Sequence, residues 1–132
     1  MLGRVQNELF DLGADLATPG DDFAPSDMTL RIVRAQIDRL ESEIDAMNES
    51  LAPLKSFILP GGGEAAARVH LARTVARRAE RSVVAASREI SLNPLAPIYL
   101  NRLSDFLFVL GRLLAKDAGG DVLWQPGATR QG

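Results

Sequence analysis

A concentration of fixed positive charge lies in residues 73–81, where RTVARRAER holds four arginines and one glutamate. Residues three and four apart share one face of a helix. One stripe would therefore hold His70, Arg73, Arg77, Glu80, Arg81 and Arg88. The planar guanidinium suits two-point contact with phosphate or carboxylate groups. The stripe is thus a solvated helix face, a site for an anionic ligand, or a contact between subunits.

A second group of polar residues follows in the apolar sequence YLNRLSDFLFVLGR, where Asn101 and Asp105 stand one helical turn apart. Short polar side chains need hydrogen-bond partners when they are buried in such a helix. A purely structural interpretation pairs Asp105 with an arginine of the preceding helix and Asn101 with backbone. That pairing is also compatible with a binding site. His70 is interpreted as a hydrogen-bonded structural histidine rather than a ligand or an acid–base group.

These residues must be positioned by helices, because the apolar residues recur at helical spacing along most of the chain. The spacing predicts four helices, over residues 1–18, 28–50, 64–90 and 98–116. The intervening breaks are the loop 19–27, the glycine-rich LPGGG at 59–63 and the connector NPLAP at 93–97. No segment indicates a sheet. The predicted fold class is an all-α antiparallel helical bundle.

Details of the helices follow from the same pattern. The first helix is expected to carry one apolar stripe made of Leu2, Val5, Leu9, Leu12 and Leu16. Ser26 or Asp27 is the predicted N-cap of the second helix. The alanine-rich third helix is apolar enough that neighbours are expected to flank it on most sides.

Composition narrows the class of protein. The 132 residues are expected to form a single domain, and 15 basic against 17 acidic residues disfavour a nucleic-acid partner. The absence of cysteine and the single histidine predict no metal ligands. No apolar run is long enough for a membrane helix. The expected protein has no membrane partner and a cytoplasmic location.

Three stretches in combination resemble one known family. FILPGGGEAAARVHLARTVARRAERSVV, YLNRLSDFLFVLGR and the early QNELFDLGADLATP are similar to the PduO-type ATP:cob(I)alamin adenosyltransferases. The resemblance covers residues 1–116. It implies a five-helix bundle that assembles as a homotrimer, with active sites between subunits. It also implies transfer of the 5′-deoxyadenosyl group of ATP to the cobalt of a reduced corrinoid such as cobalamin, with release of triphosphate and help from Mg²⁺.

The resemblance assigns roles to individual residues. The positions that it matches to ATP contacts are Arg77, Arg78, Glu80, Arg81 and Asn101. Arg73 matches an arginine that pairs with a carboxylate across the subunit interface, and Asp105 matches a residue that positions the arginine cluster. Phe57 matches an aromatic residue that crowds the lower face of the corrin and excludes its axial base. From the residues alone, Phe57 is also compatible with a core aromatic beside a turn. The predicted catalytic residues are Phe57, Arg73 and Arg77.

The family's usual chain begins with a glycine- and threonine-rich segment that wraps the phosphates, followed by a first helix. The present sequence starts within what resembles the second helix, so the resemblance predicts an N-terminally incomplete domain with four helices of the bundle. If the chain is only this fragment, the resemblance no longer implies ATP binding and trimer formation. Two alternatives stay open for the function: a non-catalytic helical oligomerisation module or truncated inactive homologue, and a regulator of another corrinoid enzyme. A cob(II)alamin reductase is an expected partner of an active protein.

Overall fold

The computed structural model describes residues 1–131, and its secondary structure within that range is helical. The four helices are α1 (Leu2–Leu16), α2 (Arg34–Asn48), α3 (Glu64–Ala86) and α4 (Leu95–Lys116). Only isolated β-bridges occur besides them in this range. The predicted all-α class and the number of helices are therefore confirmed. None of the helices within residues 1–131 has the length and apolar composition needed to cross a membrane.

Helix α4 is the centre of the bundle, with α3 and α2 packed along it and α1 touching it less extensively. Tyr99 and Phe106 are fully buried on this helix. It begins at Leu95, earlier than predicted, because Asn93 Oδ1 accepts the Leu95 N–H at 3.0 Å. Pro97 then falls in the first turn, where backbone N–H groups have no partner within the helix.

Helix α1 buries only part of the predicted apolar stripe, namely Val5 and Leu12, and adds two carboxylates to that face. Its buried residues are Val5, Glu8, Leu12 and Asp15, whereas Leu2 and Leu9 are exposed. Two carboxylates can occupy the buried face because distant residues satisfy them. The Tyr99 hydroxyl donates to Glu8 Oε2 at 2.8 Å. Burial, followed by this contact with Glu8, raises the pKa of Tyr99 far above its usual range.

Helix α2 begins later than predicted, and neither Ser26 nor Asp27 caps it. The Val33 N–H donates instead to Gln36 Oε1 at 2.9 Å. The residues just before the helix leave the helical path because they are bonded to α1. The Ile32 N–H donates to Asp15 Oδ2 at 2.7 Å. The prediction of a helix from residue 28 was therefore wrong at its N-terminal end.

Helix α3 packs on α4 and leaves much of its remaining surface exposed. Its buried residues are Ala66, His70, Ala76 and Val83. Leu71 and Val75 lie on the exposed side. Within the single chain, α4 covers one side of α3, so the prediction of neighbours on most sides stays a prediction about other chains. The helix also ends at Ala86, short of the predicted Ile90.

The predicted break at LPGGG is confirmed, since α3 begins immediately after it. Gly62 and Gly63 have φ angles of 97° and 98°, which side chains other than glycine rarely tolerate. A Cβ atom on Gly62 would also lie 2.6 Å from the Cβ of Ala115. The turn thus lets the chain pass close to the end of α4 before α3 starts.

Candidate functional site

A cavity of about 290 Å³ lies against the second half of helix α3, and we call it the cationic pocket. It is lined by Arg77, Glu80, Arg81, Val84, Ala85 and Arg88. Those on α3 share a face because they are spaced by three or four along the helix, and Arg88 continues that spacing in the turn after Ala86. Three arginines against a single glutamate give the pocket a net positive charge. Such a surface attracts anions and offers forked donors to phosphate or carboxylate oxygens.

Glu80 is held in place from two sides. Asn101 Nδ2, on helix α4, donates to Glu80 Oε2 at 3.1 Å, and Arg77 Nη1 lies 3.7 Å from Glu80 Oε1. The structure therefore brings three predicted site residues together across the α3–α4 contact. The predicted bond of Asn101 to backbone was wrong, because its side chain reaches across to the neighbouring helix.

The purely structural interpretation paired Asp105 with an arginine of α3. The structure does not show this pair. The Asp105 Oδ2 atom accepts from Arg102 Nη2 at 2.7 Å, within α4. The same nitrogen donates to Asn101 Oδ1 at 2.6 Å. Asp105 therefore reaches Glu80 and the arginines only through Arg102 and Asn101. Asp105 and Arg102 are three apart on one helix, a spacing that brings their side chains together.

Arg78 is exposed and lines neither of the cavities described here. It follows Arg77 directly, so its side chain lies roughly a quarter turn around the helix from the cationic pocket. It shares the outer side of α3 with Leu71 and Val75. Of the four arginines in residues 73–81, Arg77 and Arg81 meet in the cationic pocket, and Arg73 belongs to a second cavity.

That second cavity, of about 650 Å³, is the aromatic pocket. It is lined by Leu54, Lys55, Ser56, Phe57, Ile58, Arg73, Phe108, Trp124 and Pro126. Phe57 is 76% exposed, so its interpretation as a core aromatic was wrong. Its ring centroid lies 5.8 Å from that of Trp124, with the rings tilted by 54°. A large apolar surface thus faces solvent, as a binding site for a flat apolar ligand would require.

Arg73 extends from α3 to the apolar lining of the aromatic pocket. Its guanidinium carbon lies 5.2 Å from the centroid of Phe108, a cation–π distance. Its buried Nε atom has no hydrogen-bond partner within residues 1–131. Buried donors of charged groups rarely stay unpaired. The Arg73 Nε atom is thus an unpaired buried donor, and the ring of Phe108 is the partner that the described residues show for the guanidinium.

Trp124 is the site residue that the sequence analysis missed. It comes from the segment after α4, which pairs with the segment before LPGGG. The Trp124 N–H donates to the carbonyl oxygen of Phe57 at 2.8 Å, and the Leu59 N–H donates to that of Val122 at 2.7 Å. The short apolar stretch DVLW, at residues 121–124, was the sequence signal that this segment packs against another part of the chain.

His70 is a packing residue beneath the aromatic pocket. Its ring meets Phe108 edge-on at 6.4 Å between centroids. A Cβ atom on Gly111 would lie 2.9 Å from the same ring. Burial, and then the charge of Arg73, lower the pKa of His70 below its usual range. The neutral ring so favoured fits a packing role, but the side-chain hydrogen bond predicted for His70 does not occur within residues 1–131.

Residues 1–114 match the protein family described as cobalamin adenosyltransferase. The chain is 52% identical over 132 residues to a corrinoid adenosyltransferase of Mycobacterium tuberculosis, covering 98% of this chain and 67% of the relative. It is 40% identical over 127 residues to a corrinoid adenosyltransferase of Bacillus subtilis, covering 94% of this chain and 62% of the relative. The match thus spans about two thirds of each relative's length.

Solved structures extend the similarity to the fold. A variant of the PduO-type ATP:corrinoid adenosyltransferase from Lactobacillus reuteri, complexed with cobalamin and ATP, superposes with a TM-score of 0.84 at 38% identity. That match covers 95% of this chain and 67% of the other. Another variant of that protein, complexed with ATP, superposes with a TM-score of 0.82 at 36% identity, covering 94% of this chain and 69% of the other.

Proposed function

The chain belongs to the cobalamin adenosyltransferase family, so its reaction is ATP-dependent adenosyl transfer to a corrinoid, and we propose how its residues divide that work. The cobalt of the reduced corrinoid attacks C5′ of ATP with its electron pair. A cobalt–carbon bond forms, the C5′–oxygen bond breaks, and triphosphate leaves with the bonding pair. The nucleophile is the substrate itself, so the protein must supply orientation and charge neutralisation rather than a general base.

Two cavities share helix α3, and this placement is the main support for the assignment. Arg73 lines the aromatic pocket, and Arg77 lines the cationic pocket. Residues four apart are about 6 Å apart along a helix and share a face. A flat apolar macrocycle and a nucleotide bound in these pockets would meet at adjoining positions of one rigid element, as a transfer between two substrates requires.

The cationic pocket receives the triphosphate of ATP. Arg77 and Arg81 contact phosphate oxygens and neutralise the charge that grows on the leaving group. Glu80 and Asn101 orient the nucleotide, and their mutual hydrogen bond keeps both side chains in place. Asp105 acts through Arg102, which is bonded to Asn101. The exposed Arg78 completes the family's set of ATP contacts from the outer side of the helix.

A magnesium ion is part of this proposal. No group of three or more metal-ligating side chains is placed to hold an ion within the part of the chain that the structure describes. Mg²⁺ nevertheless fits, because it usually binds through one or two carboxylates, water and substrate phosphates. Glu80 is the one carboxylate that lines the cationic pocket and would hold the ion there. The ion would neutralise phosphate charge when bound.

The aromatic pocket receives the corrinoid. Phe57 occupies the space under the ring that an axial base would need, so the four-coordinate cob(II)alamin is favoured and is easier to reduce to the nucleophile. A separate cob(II)alamin reductase supplies the electron. Arg73 pairs with a carboxylate of a neighbouring subunit near the ring. Its place in the lining of the aromatic pocket supports this role.

The nucleotide assignment is tested by Arg77→Lys, which keeps the charge and loses the planar fork. ATP affinity is expected to weaken by about 1.5–3 kcal/mol, the usual contribution of a hydrogen bond to a charged group. Isothermal titration calorimetry measures it. The matched control is Arg68→Lys on the same helix, where the arginine pairs with Glu64 on the exposed surface. Equal ATP affinity of both variants would refute the assignment and favour a non-catalytic module.

We further propose that three copies of the chain assemble into a closed trimer. Leu71, Val75 and Arg78 share the exposed side of α3, and an apolar surface of this kind marks an interface. Val75→Glu is expected to dissociate the assembly in sedimentation velocity experiments at micromolar concentration. Val75 is 48% and Ile90 is 49% exposed, so Ile90→Glu outside the helix is the control. A monomeric unsubstituted protein would exclude the trimer.

A further inference from the structure

A buried arginine near the end of helix α4 contacts both chain segments that form the aromatic pocket. The Arg112 Nη2 atom donates to the carbonyl oxygen of Ala52 at 2.7 Å, on the segment that leads to Phe57. Its Nε atom donates to Asp121 Oδ2 at 3.0 Å, on the segment that leads to Trp124. One guanidinium is therefore bonded to the carrier of each aromatic side chain.

Apart from this guanidinium, few bonds hold the two segments to each other. The backbone bonds between Leu59 and Val122 and between Trp124 and Phe57 form a short antiparallel pair. The Ser56 hydroxyl adds a bond to the carbonyl oxygen of Trp124 at 3.0 Å. A lone two-stranded pair is only marginally stable in water. An anchor on a helix is needed to keep both aromatic rings in one position.

The Arg112–Asp121 pair has the properties of such an anchor. The two side chains are 8% and 19% exposed, and Asp121 Oδ1 is buried without a hydrogen-bond partner among residues 1–131. A buried carboxylate depends strongly on its remaining partner. Lys116 Nζ also donates to the carbonyl oxygen of Ser50 at 2.8 Å, but this bond is exposed and reaches only one segment. Without Arg112, Asp121 would move into water and take its segment along.

We propose that Arg112 and Asp121 are positioning residues that fix Phe57 and Trp124 at the corrinoid side of the site without touching either substrate. This inference rests on the proposed binding of the corrinoid in the aromatic pocket. If the ion pair had a merely structural role, its loss would lower the melting temperature and leave the aromatic pair in place. Disturbed aromatic rings in a folded protein would distinguish the two roles.

The position of the aromatic pair can be measured without any substrate, because Trp124 is the single tryptophan of the chain. Arg112→Gln and Asp121→Ala are expected to raise acrylamide quenching of its fluorescence toward that of the urea-unfolded protein. Asp121→Asn, which keeps an acceptor oxygen, should give an intermediate value. Arg34→Gln is the matched control, because Arg34 Nε also lies 3.0 Å from a carboxylate, that of Asp38, on the exposed surface of α2. Its quenching should equal that of the unsubstituted protein.

Kinetics on the assembled protein then connect the anchor to the reaction. In Asp121→Ala, the KM for cob(II)alamin is expected to rise by about tenfold. This is the fold-change that corresponds to the loss of one hydrogen bond to a charged group. The Kd for ATP should not change. Unchanged quenching in an Asp121→Ala protein that is folded by circular dichroism would overturn the inference, and so would raised quenching of Trp124 with an unaltered KM for cob(II)alamin. If the unsubstituted protein forms no adenosylcobalamin from pre-reduced corrinoid, the proposed function fails instead, and quenching alone decides whether the anchor exists.

Discussion

Phe57→Ala is expected to slow the formation of adenosylcobalamin from cob(II)alamin on the order of a hundredfold, the effect of misplacing one reacting partner, while ATP affinity stays the same. The reason is that Phe57 lies in the aromatic pocket and makes no contact with the cationic pocket. Removing the ring frees the space in which the axial base can bind. The five-coordinate cob(II)alamin that results is harder to reduce. The signal of four-coordinate cob(II)alamin should weaken together with the rate.

Pre-reduced cob(I)alamin should restore much of the rate, because the step that Phe57 assists is bypassed. Stability should change little, since the ring is 76% exposed, whereas a buried phenylalanine replaced by alanine costs about 3–5 kcal/mol. Phe106→Ala, in the core of α4, provides that contrast within the same chain. Phe10→Ala is the exposed control on α1 and should leave both rates unchanged. Equal losses with cob(II)alamin and cob(I)alamin, together with a lower melting temperature, would contradict the role of Phe57.

Asp15→Ala is expected to lower the free energy of unfolding by about 3–5 kcal/mol, the cost of removing one partner of a buried ion pair. The Asp15 side chain is fully buried against Arg31, at 2.8 Å between Oδ1 and Nη1. It also accepts from the Ile32 N–H and from Asn93 Nδ2, both at 2.7 Å. The substitution leaves the Arg31 charge buried and removes the junction that joins α1, the segment before α2 and the start of α4.

Urea denaturation at fixed protein concentration measures this loss, because assembly contributes to apparent stability. The control is Asp38→Ala, which removes a carboxylate that is 58% exposed and pairs with Arg34 at 3.0 Å. An exposed pair of this kind contributes at most about 1 kcal/mol. Similar losses for Asp15→Ala and Asp38→Ala would mean that the buried network adds nothing beyond an ordinary surface ion pair.

Local features of the chain were predictable from the sequence. The existence of four helices follows from apolar spacing, and the break at Gly62 and Gly63 follows from the backbone freedom of glycine. The grouping of Arg77 with Glu80 and Arg81 follows from the helical repeat alone. All of these depend on residues within a few positions of one another. The family could be recognised for the same reason, since its motifs are continuous stretches.

Several of the predictions that failed concern partners far apart in the sequence. The burial of Glu8 depends on Tyr99, 91 residues away, and that of Asp15 depends on Asn93, 78 residues away. A hydropathy pattern assigns carboxylates to the surface, because it cannot include donors that arrive only when the chain folds. The burial of Glu8 and Asp15 beside Val5 and Leu12 was therefore not predicted, and the start of α2 was assigned to the wrong residue.

The sequence by itself determined the helices, the turn between α2 and α3, and the arginine-rich face that identifies the family. The tertiary structure decided the composition of the aromatic pocket. Ser56 and Trp124 are 68 residues apart and bond only because α4 brings the end of the chain back to the segment before α3. Exposure of Phe57 was decided in the same way. Helical periodicity is a property of neighbouring residues, whereas a cavity between segments exists only after the backbone path is set, so its lining residues cannot be derived from local spacing.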